Sequence, residues 1–142
     1  MYQNCEDPWL QSIKDNVLDS RRMIAKKWIK KISAKQQVRC CELGRGFGFI
    51  TSDITKDLIN CIGIDISPTA IKKAKTLHTE NRFDFVDFDD FEFYSKEQIN
   101  VFLMAEITWY VLPQLKSFLE KIKQLKKKRK SQYTSFIFVN LR

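Results

Sequence analysis

The sequence predicts a single α/β domain built on a mostly parallel β-sheet with helices on both faces. Short apolar runs alternate with segments of helical period along most of the chain, and the connections between them are short. The first apolar run has no polar alternation, as expected of a strand that is covered on both faces, and a glycine-rich loop follows it directly. Strands that alternate with helices in this way pair in parallel through right-handed crossovers.

The predicted elements follow from the period of the apolar residues. The five predicted strands are apolar runs of five or six residues: Gln37 to Glu42, Cys61 to Asp65, Phe83 to Phe88, Asn100 to Met104 and Ser135 to Val139. Ser67 suits an N-cap, and Pro68 suits the first position of the helix that follows it. The other predicted helices have apolar residues at helical spacing and cover residues about 12 to 32, 49 to 58, and Leu112 or Pro113 to about Lys127.

Length and composition fit one globular domain. The 142 residues are 44% hydrophobic and 13% aromatic, and no apolar run approaches the ~20 residues that span a membrane. The first residues, MYQNCEDPW, lack the basic and then apolar order of a signal peptide. We therefore expect a cytoplasmic protein with one domain over residues 1–142, divided into a helical cap over 1–35 and a core over 36–142.

The four cysteines predict free thiols. Cys5, Cys40, Cys41 and Cys61 include no CxxC pair, and no histidine stands at ligand spacing from them, so we expect no metal site. Three of them lie inside apolar runs, where cysteine serves as a small hydrophobic residue in a reducing compartment.

The net charge of +8 is concentrated in two segments, residues 21–31 and 116–130. Both segments carry apolar residues at helical spacing, so we interpret them as amphipathic helices with solvated basic faces. A phosphate-binding patch is the alternative, and Lys126 to Lys130 is its best candidate. That run has no interleaved aromatic residues of the kind that stack on bases.

The loop after the first strand carries glycines at three alternate positions, Gly44, Gly46 and Gly48. A strand that turns sharply into a helix and lets a ligand approach its backbone needs residues without a side chain. Phe49 stands where the dinucleotide-binding GxGxxG pattern has its last glycine, and the GKS or GKT of a P-loop is absent. Taken alone, the loop could also be an ordinary strand-to-helix turn.

Together with later segments, this loop resembles that of class I S-adenosylmethionine-dependent methyltransferases, whose first strand ends in E/DxGxGxG. Asp65 ends the second strand 21 residues after Gly44, and FVDFDDF, from Phe85 to Phe91, follows the third strand as in that family. The run from Asn100 to Leu112, NVFLMAEITWYVL, resembles the DLIVxSEVLYYL of the nodulation-protein-S-like small-molecule group. That group also has a DPW element near its N-terminus, as this chain has at residues 7–9.

The resemblance implies a Rossmann-like sheet of order 3-2-1-4-5 and S-adenosyl-L-methionine as cofactor. In the family, the acid at the position of Asp65 binds the ribose hydroxyls, the acid at Asp87 accepts from the adenine amino group, and Phe88 offers its backbone to the ring. The residues that we expect to bind the cofactor are Glu42, Gly44, Gly46, Gly48, Asp65, Ile66, Asp87, Phe88 and Met104.

Methyl transfer from a sulfonium is an in-line displacement with a good leaving group, so positioning can supply most of the acceleration. If the acceptor must lose a proton, Glu106 is the candidate base, although it could equally order the loop or the methionine end of the cofactor. Trp109 and Tyr110 could wall the acceptor site or belong to the core. His78, the only histidine, is predicted on the polar side of a helix and receives no role.

The expected function is methyl transfer to a nitrogen or oxygen of a small molecule. The (D/N/S)PP(Y/F/W) signature of methyltransferases that act on base or glutamine amide nitrogens is absent, because Ala105 to Thr108 stand there. Two alternatives stay open. One is a non-catalytic or truncated cofactor-binding module that needs a partner chain, and the other is an RNA-directed methyltransferase that docks through Lys126 to Lys130.

The sequence departs from the family in three respects. Arg45 lies inside the glycine loop, and Asn100 stands where an acid is usual. The family's sheet has seven strands in the order 3-2-1-4-5-7-6, whereas this sequence lacks strands 6 and 7. We expect the fifth strand, FIFV, to form an exposed edge that favours a homodimer. A minimal protein completed by dimerisation, a truncated or frameshifted product, and a fragment of a longer enzyme are equally compatible with this.

Overall fold

A computed structural model describes residues 16–44, 46–57, 59–105, 107–129 and 134–139. Five helices and five strands alternate within these residues. In chain order they are α1 Asn16–Ser33, β1 Arg39–Leu43, α2 Phe49–Thr55, β2 Asn60–Asp65, α3 Pro68–Leu77, β3 Arg82–Phe85, α4 Phe91–Lys96, β4 Val101–Ala105, α5 Thr108–Arg129 and β5 Ser135–Val139.

The five strands form one parallel sheet in the order β3-β2-β1-β4-β5, which confirms the predicted topology. Leu43, at the end of β1, pairs with Ile64 of β2 on one side and with Met104 of β4 on the other. The carboxyl ends of the three central strands therefore meet at one edge of the sheet.

Successive residues of the central strands face opposite sides of the sheet, so the domain has a core on each side. Cys41 and Phe102 face a cluster that α4 and α5 cover, whereas Cys40 and Leu103 face a cluster that α1 and α2 cover. The prediction of helices on both faces is confirmed. The thiols of Cys40, Cys41 and Cys61 are buried and free, as expected, whereas Cys5 lies outside the described residues.

The predicted third strand is three residues too long at its carboxyl end. β3 ends at Phe85, and the chain then turns into α4, a helix that the sequence analysis did not predict. The Asp90 carboxylate accepts a hydrogen bond from the Phe93 backbone N–H at 3.0 Å and so caps α4. The apolar and acidic residues of FVDFDDF keep neither a strand period nor a helix period, so the pattern does not mark where α4 begins.

The start of α5 and the position of His78 also differ from prediction. α5 begins at Thr108, so Pro113 lies inside the helix rather than at its first turn.

His78 follows the last residue of α3, and its ring packs edge-on against Phe49 with 5.1 Å between ring centroids. His78 is therefore a half-buried packing residue and not part of the polar face of a helix.

Helix α1 is amphipathic, as predicted, but part of its charge faces the protein. Ala25 and Ile29 are fully buried against the sheet. The ammonium groups of Lys26 and Lys30 lie 3.2 and 3.4 Å from the Asp57 carboxylate, just after α2. The hydrogen bonds and charges of these lysines lower the pKa of Asp57, and the hydrogen bond from Lys26 contributes most. Residues 16–33 of the predicted cap thus pack on the sheet, while the division into cap and core stays a prediction.

Helix α5 is the second basic segment. Phe118 and Ile122 lie in the core, and Lys116, Lys121 and Lys123 are exposed. Within the segment from Lys126 to Lys130, only the side chain of Lys127 is described, and it too is exposed.

No helix among the described residues has both the length and the apolar composition of a membrane span. The cytoplasmic location stays a prediction.

At the amino end of the sheet, Asn100 joins three strands. Its side-chain oxygen accepts from the Arg39 N–H at 2.8 Å, and its side-chain nitrogen donates to the Gln37 carbonyl at 2.7 Å. Its backbone N–H donates to the Arg39 carbonyl, and its own carbonyl accepts from the Ser135 N–H. An aspartate could make the first of these side-chain bonds but, when ionised, not the second, so the departure from the usual acid has a structural consequence here.

Candidate cofactor-binding site

The loops that follow β1, β2, β3 and β4 gather at the carboxyl edge of the sheet. Parallel α/β sheets bind their ligands at this edge. All nine predicted cofactor-binding residues lie in these loops or in the last two residues of the strands that precede them. Met104 pairs with Leu43 near the end of β4, and its side chain is fully buried in the core beneath α4 and α5.

The glycine loop takes a backbone conformation that excludes ordinary side chains. Gly44, Gly46 and Gly48 all have positive φ, and the φ of Gly44 is 61°. A Cβ atom added to Gly44 would come within 2.5 Å of the Ile107 Cγ2 methyl. The chain after β4 therefore lies directly on the chain after β1, a contact that the sequence analysis missed.

Asp65 connects the glycine loop to the end of β2. One carboxylate oxygen, Oδ2, accepts from the Gly46 N–H at 3.1 Å, and the other, Oδ1, accepts from the Ser67 N–H at 2.9 Å. The side chain is largely buried, with a residue exposure of 8%. Two of the predicted motifs thus meet in one hydrogen-bonded unit.

Glu42 is buried below the loop, with an exposure of 2%. Its carboxylate accepts a hydrogen bond from the Thr51 hydroxyl, which is fully buried in α2. The acid of the ELGRGFG segment therefore fixes the start of α2 relative to β1. Whether it also reaches the cofactor stays a prediction.

Two aromatic residues brace the loop against neighbouring helices. Phe47 is buried, and the Lys73 ammonium of α3 lies 5.0 Å from the centre of its ring. The Arg22 guanidinium of α1 lies 5.1 Å from the centre of the Phe49 ring. In the sequence, the indication of this packing was Phe49, because it is a large residue at the position where dinucleotide-binding loops have glycine.

The turn after β3 holds the predicted adenine contacts. Asp87 is exposed and Phe88 is half-buried, with its ring stacked on Phe118 at 5.2 Å between centroids. The hydroxyl of Tyr94 donates to the Phe88 carbonyl at 2.7 Å. Tyr94 was not singled out from the sequence, although it lies only six residues from its partner.

The remaining predicted residues are placed less completely. Ile66 follows Asp65 and is 66% exposed. Glu106 lies outside the described residues. The backbones of Trp109 and Tyr110 form the first turn of α5, but their side chains are not described. Arg45 and the DPW segment also lie outside the described residues.

A family model described as a methyltransferase domain matches residues 41–130 of this chain. The matched part contains the glycine loop, Asp65 and the turn after β3. The chain belongs to this methyltransferase family. S-adenosylmethionine is the cofactor of the family, as the motifs predicted.

Solved structures share the fold at low sequence identity. WbdD, described as a bifunctional kinase-methyltransferase, has a TM-score of 0.61 at 12% identity, with 84% of this chain and 30% of that chain covered. The N-methyltransferase NodS from Bradyrhizobium japonicum WM9, in complex with S-adenosyl-L-homocysteine, has a TM-score of 0.63 at 18% identity, with 86% and 62% covered. Magnesium protoporphyrin IX methyltransferase (ChlM) from Synechocystis PCC 6803, with bound SAM, has a TM-score of 0.62 at 14% identity, with 87% and 68% covered.

This chain spans less than a third of WbdD and less than two thirds of NodS. At these identities the likeness shows a common fold. No curated protein sequence matches the chain.

Proposed function

We propose that this chain binds S-adenosylmethionine at the carboxyl edge of the sheet and transfers its methyl group to a nitrogen or oxygen of a small molecule. The observation that carries the proposal is the Asp65 carboxylate, which two backbone N–H groups hold at the point where the glycine loop meets β2. Membership of the methyltransferase family supports the reaction class.

Asp65 suits the two ribose hydroxyls. Each of its oxygens accepts one backbone hydrogen bond in the structure, and an ionised carboxylate has about four acceptor sites in total. One lone pair on each oxygen is therefore left to accept from a hydroxyl. Adjacent hydroxyls on a ribose have the spacing to donate to the two oxygens of one carboxylate.

The adenine end is assigned to the residues beyond β2 and β3. Ile66 presents an exposed apolar side chain beside Asp65, on which a base can pack. Asp87 presents an exposed carboxylate that can accept from the adenine amino group. At the other end, the backbone at Gly44 and Gly46 lets the methionine part approach closely because no side chain intervenes.

When bound, the cofactor supplies an electrophilic methyl group: the acceptor lone pair forms the new bond to carbon while the carbon–sulfur bond breaks, and sulfur keeps that electron pair as a neutral thioether. The protein's part is to hold the acceptor in line with the methyl–sulfur bond. We assign Glu106 to removal of the acceptor's proton where one must leave, and Trp109 and Tyr110 to the walls of the acceptor site. Met104 and Glu42 are assigned to the methionine end.

A small acceptor is favoured over RNA. The run from Asn100 to Leu112 supports the nodulation-protein-S-like group, and NodS itself is described as an N-methyltransferase. The ion pairs of Lys26 and Lys30 with Asp57 occupy two basic side chains of α1, so this segment offers fewer charges to a phosphate backbone than its composition suggests.

We further propose a homodimer through the β5 edge, where Phe138 is 43% exposed.

Calorimetric titration with S-adenosylmethionine and S-adenosylhomocysteine tests the cofactor site. We expect micromolar binding by the natural sequence and its loss in Asp65→Ala. The matched control is Asp53→Ala, which removes a half-buried carboxylate of α2 that pairs with Arg22 and Lys56, away from the loops of the carboxyl edge, and should leave binding unchanged. If the folded chain binds neither compound, or if Asp65→Ala binds normally, the assignment is wrong.

Transfer of a labelled methyl group to a panel of small amines and alcohols, with RNA as a separate acceptor, tests the reaction. We expect transfer to a small acceptor and a reduced kcat in Glu106→Gln with an unchanged Kd for the cofactor. Binding without transfer to any acceptor would favour the non-catalytic module. Transfer to RNA alone would favour the RNA-directed alternative.

A further inference from the structure

We propose that Tyr94 is a positioning residue for adenine recognition, because its hydroxyl holds the Phe88 carbonyl against the core and so keeps this acceptor away from the base, which meets the Phe88 N–H instead. This inference rests on the proposed function, in which Asp87 and Phe88 bind the adenine.

The phenol ring of Tyr94 is fixed by its surroundings. The residue is 1% exposed, and its ring makes edge-on contacts with Phe102 and Phe118 at 5.1 and 6.1 Å between centroids. Burial raises the pKa of the phenol, so the hydroxyl keeps its proton and stays a donor. The hydroxyl reaches the Phe88 carbonyl at 2.7 Å, which is the usual distance for an O–H···O hydrogen bond.

This one bond sets the orientation of a whole peptide group. The peptide is planar and trans, so a Phe88 carbonyl that is directed at Tyr94 directs the Asp89 N–H to the opposite side. The preceding peptide, which carries the Phe88 N–H, is oriented by the Asp90 N–H, which donates to the Asp87 carbonyl at 3.1 Å and closes the turn. The Phe88 ring, stacked on Phe118, anchors the same residue from its side chain. The turn from Asp87 to Asp90 is thus fixed at its carbonyls and at one ring.

The orientation matters because adenine offers a donor and an acceptor side by side. Its amino group donates, and ring nitrogen N1 accepts. Asp87 supplies an acceptor and the Phe88 N–H supplies a donor, which match that pair. The base of inosine reverses the pattern, because its N1 carries a hydrogen and its exocyclic atom is a carbonyl oxygen. If the Phe88 peptide rotated, its carbonyl would become available to the ligand and the turn would lose this discrimination.

The experiment compares the affinities of S-adenosylhomocysteine and S-inosylhomocysteine for the natural chain and for Tyr94→Phe. The natural chain should prefer the adenosyl compound by at least about tenfold, since a reversed donor and acceptor pair leaves polar groups unmatched. Tyr94→Phe keeps the ring and removes only the hydroxyl. We expect it to reduce the preference by about three- to tenfold, the range that one neutral hydrogen bond accounts for.

Ile122→Val is the matched control. Ile122 lies in the same buried cluster as Tyr94 but on α5, and its truncation destabilises that core without touching the Phe88 carbonyl. It should leave the ratio of the two affinities unchanged. A general loss of stability weakens both ligands alike, so the ratio separates positioning from packing.

The outcomes separate the inference from the function that it rests on. If the natural chain binds neither compound, the proposed function fails and takes the inference with it. If the natural chain prefers the adenosyl compound and Tyr94→Phe keeps the full preference, the function stands and the role of Tyr94 is overturned. Equal binding of both compounds by the natural chain overturns adenine recognition by this turn.

Discussion

The two ends of the sheet use polar groups in opposite ways. At the amino end, the side-chain oxygen of Asn100 accepts from the first residue of β1, and its side-chain nitrogen donates to the backbone of the segment that precedes β1. At the carboxyl end, each oxygen of Asp65 takes one backbone donor and keeps acceptor capacity beside a loop of glycines. The first arrangement holds strands together, whereas the second prepares a surface for a ligand.

This difference has a measurable consequence. Changes at the carboxyl end should alter cofactor affinity, whether or not they alter the free energy of unfolding. Changes at the amino end should alter only the free energy of unfolding. Substitutions at Gly44 and Asn100 test that division, and a substitution at Glu97 tests an ion pair outside the cofactor site.

Gly44→Ala should have the largest effect. Its φ of 61° disfavours a side chain, and the added Cβ would overlap the Ile107 Cγ2 methyl. We expect a loss of about 1–3 kcal/mol of stability and at least a tenfold weaker Kd for S-adenosylhomocysteine, about 1.4 kcal/mol. Urea denaturation and calorimetry measure the two quantities.

The double variant Gly44→Ala with Ile107→Ala sharpens this prediction. Removal of the isoleucine relieves the overlap but not the strained φ, so the double variant should recover part of the stability that Gly44→Ala loses. Wild-type affinity in Gly44→Ala would show that the glycine loop does not approach the cofactor.

Asn100→Ala should have the next largest effect, and on stability alone. Loss of both side-chain bonds should cost about 1–2 kcal/mol while the Kd for the cofactor stays the same. Asn100→Asp retains the acceptor for the Arg39 N–H and should cost less than the alanine variant. A weaker cofactor Kd in either variant, with the protein folded, would break the division between the two ends.

Glu97→Gln should have the smallest effect, visible in the pH dependence of stability. Hydrogen bonds from Arg82, the first residue of β3, hold the pKa of Glu97 below its usual value. A lowered folded pKa gives stability that is present above the unfolded pKa of about 4.3 and is lost as the pH falls through the folded pKa.

The pair is partly exposed, so we expect less than about 1 kcal/mol at pH 7. The thermal midpoints of the natural chain and of Glu97→Gln should therefore differ at pH 7 and converge at low pH. A constant difference over the whole range would contradict the assigned ion pair.

The alternation of strands and helices followed from the period of their apolar residues, with the exception of α4, and the strand order followed from the resemblance to the methyltransferase family. β5 is found at its predicted bounds, Ser135–Val139. The end of β3 was not predictable from periodicity, because the apolar and acidic residues of FVDFDDF keep neither a strand period nor a helix period. The start of α5 was misplaced because a proline usually marks the first turn, and Pro113 does not.

The sequence predicted which residues form the site, but it did not predict the contacts between them. The positions of Asp65 and the glycines follow from motif spacing, whereas the bond from the Gly46 N–H to Asp65 depends on the register between β1 and β2. The packing of Ile107 on Gly44 joins segments that are distant in sequence, and no period reports such a contact.

The most direct test of the contrast between the two ends is the change in backbone amide NMR shifts when S-adenosylhomocysteine is added to the full chain. We predict large shifts for Gly44, Gly46, Ile66 and Phe88, and none for Arg39, Asn100 or Ser135. Shifts centred on the amino-end residues, or their absence from the glycine loop on saturation, would contradict a cofactor site at the carboxyl edge of the sheet.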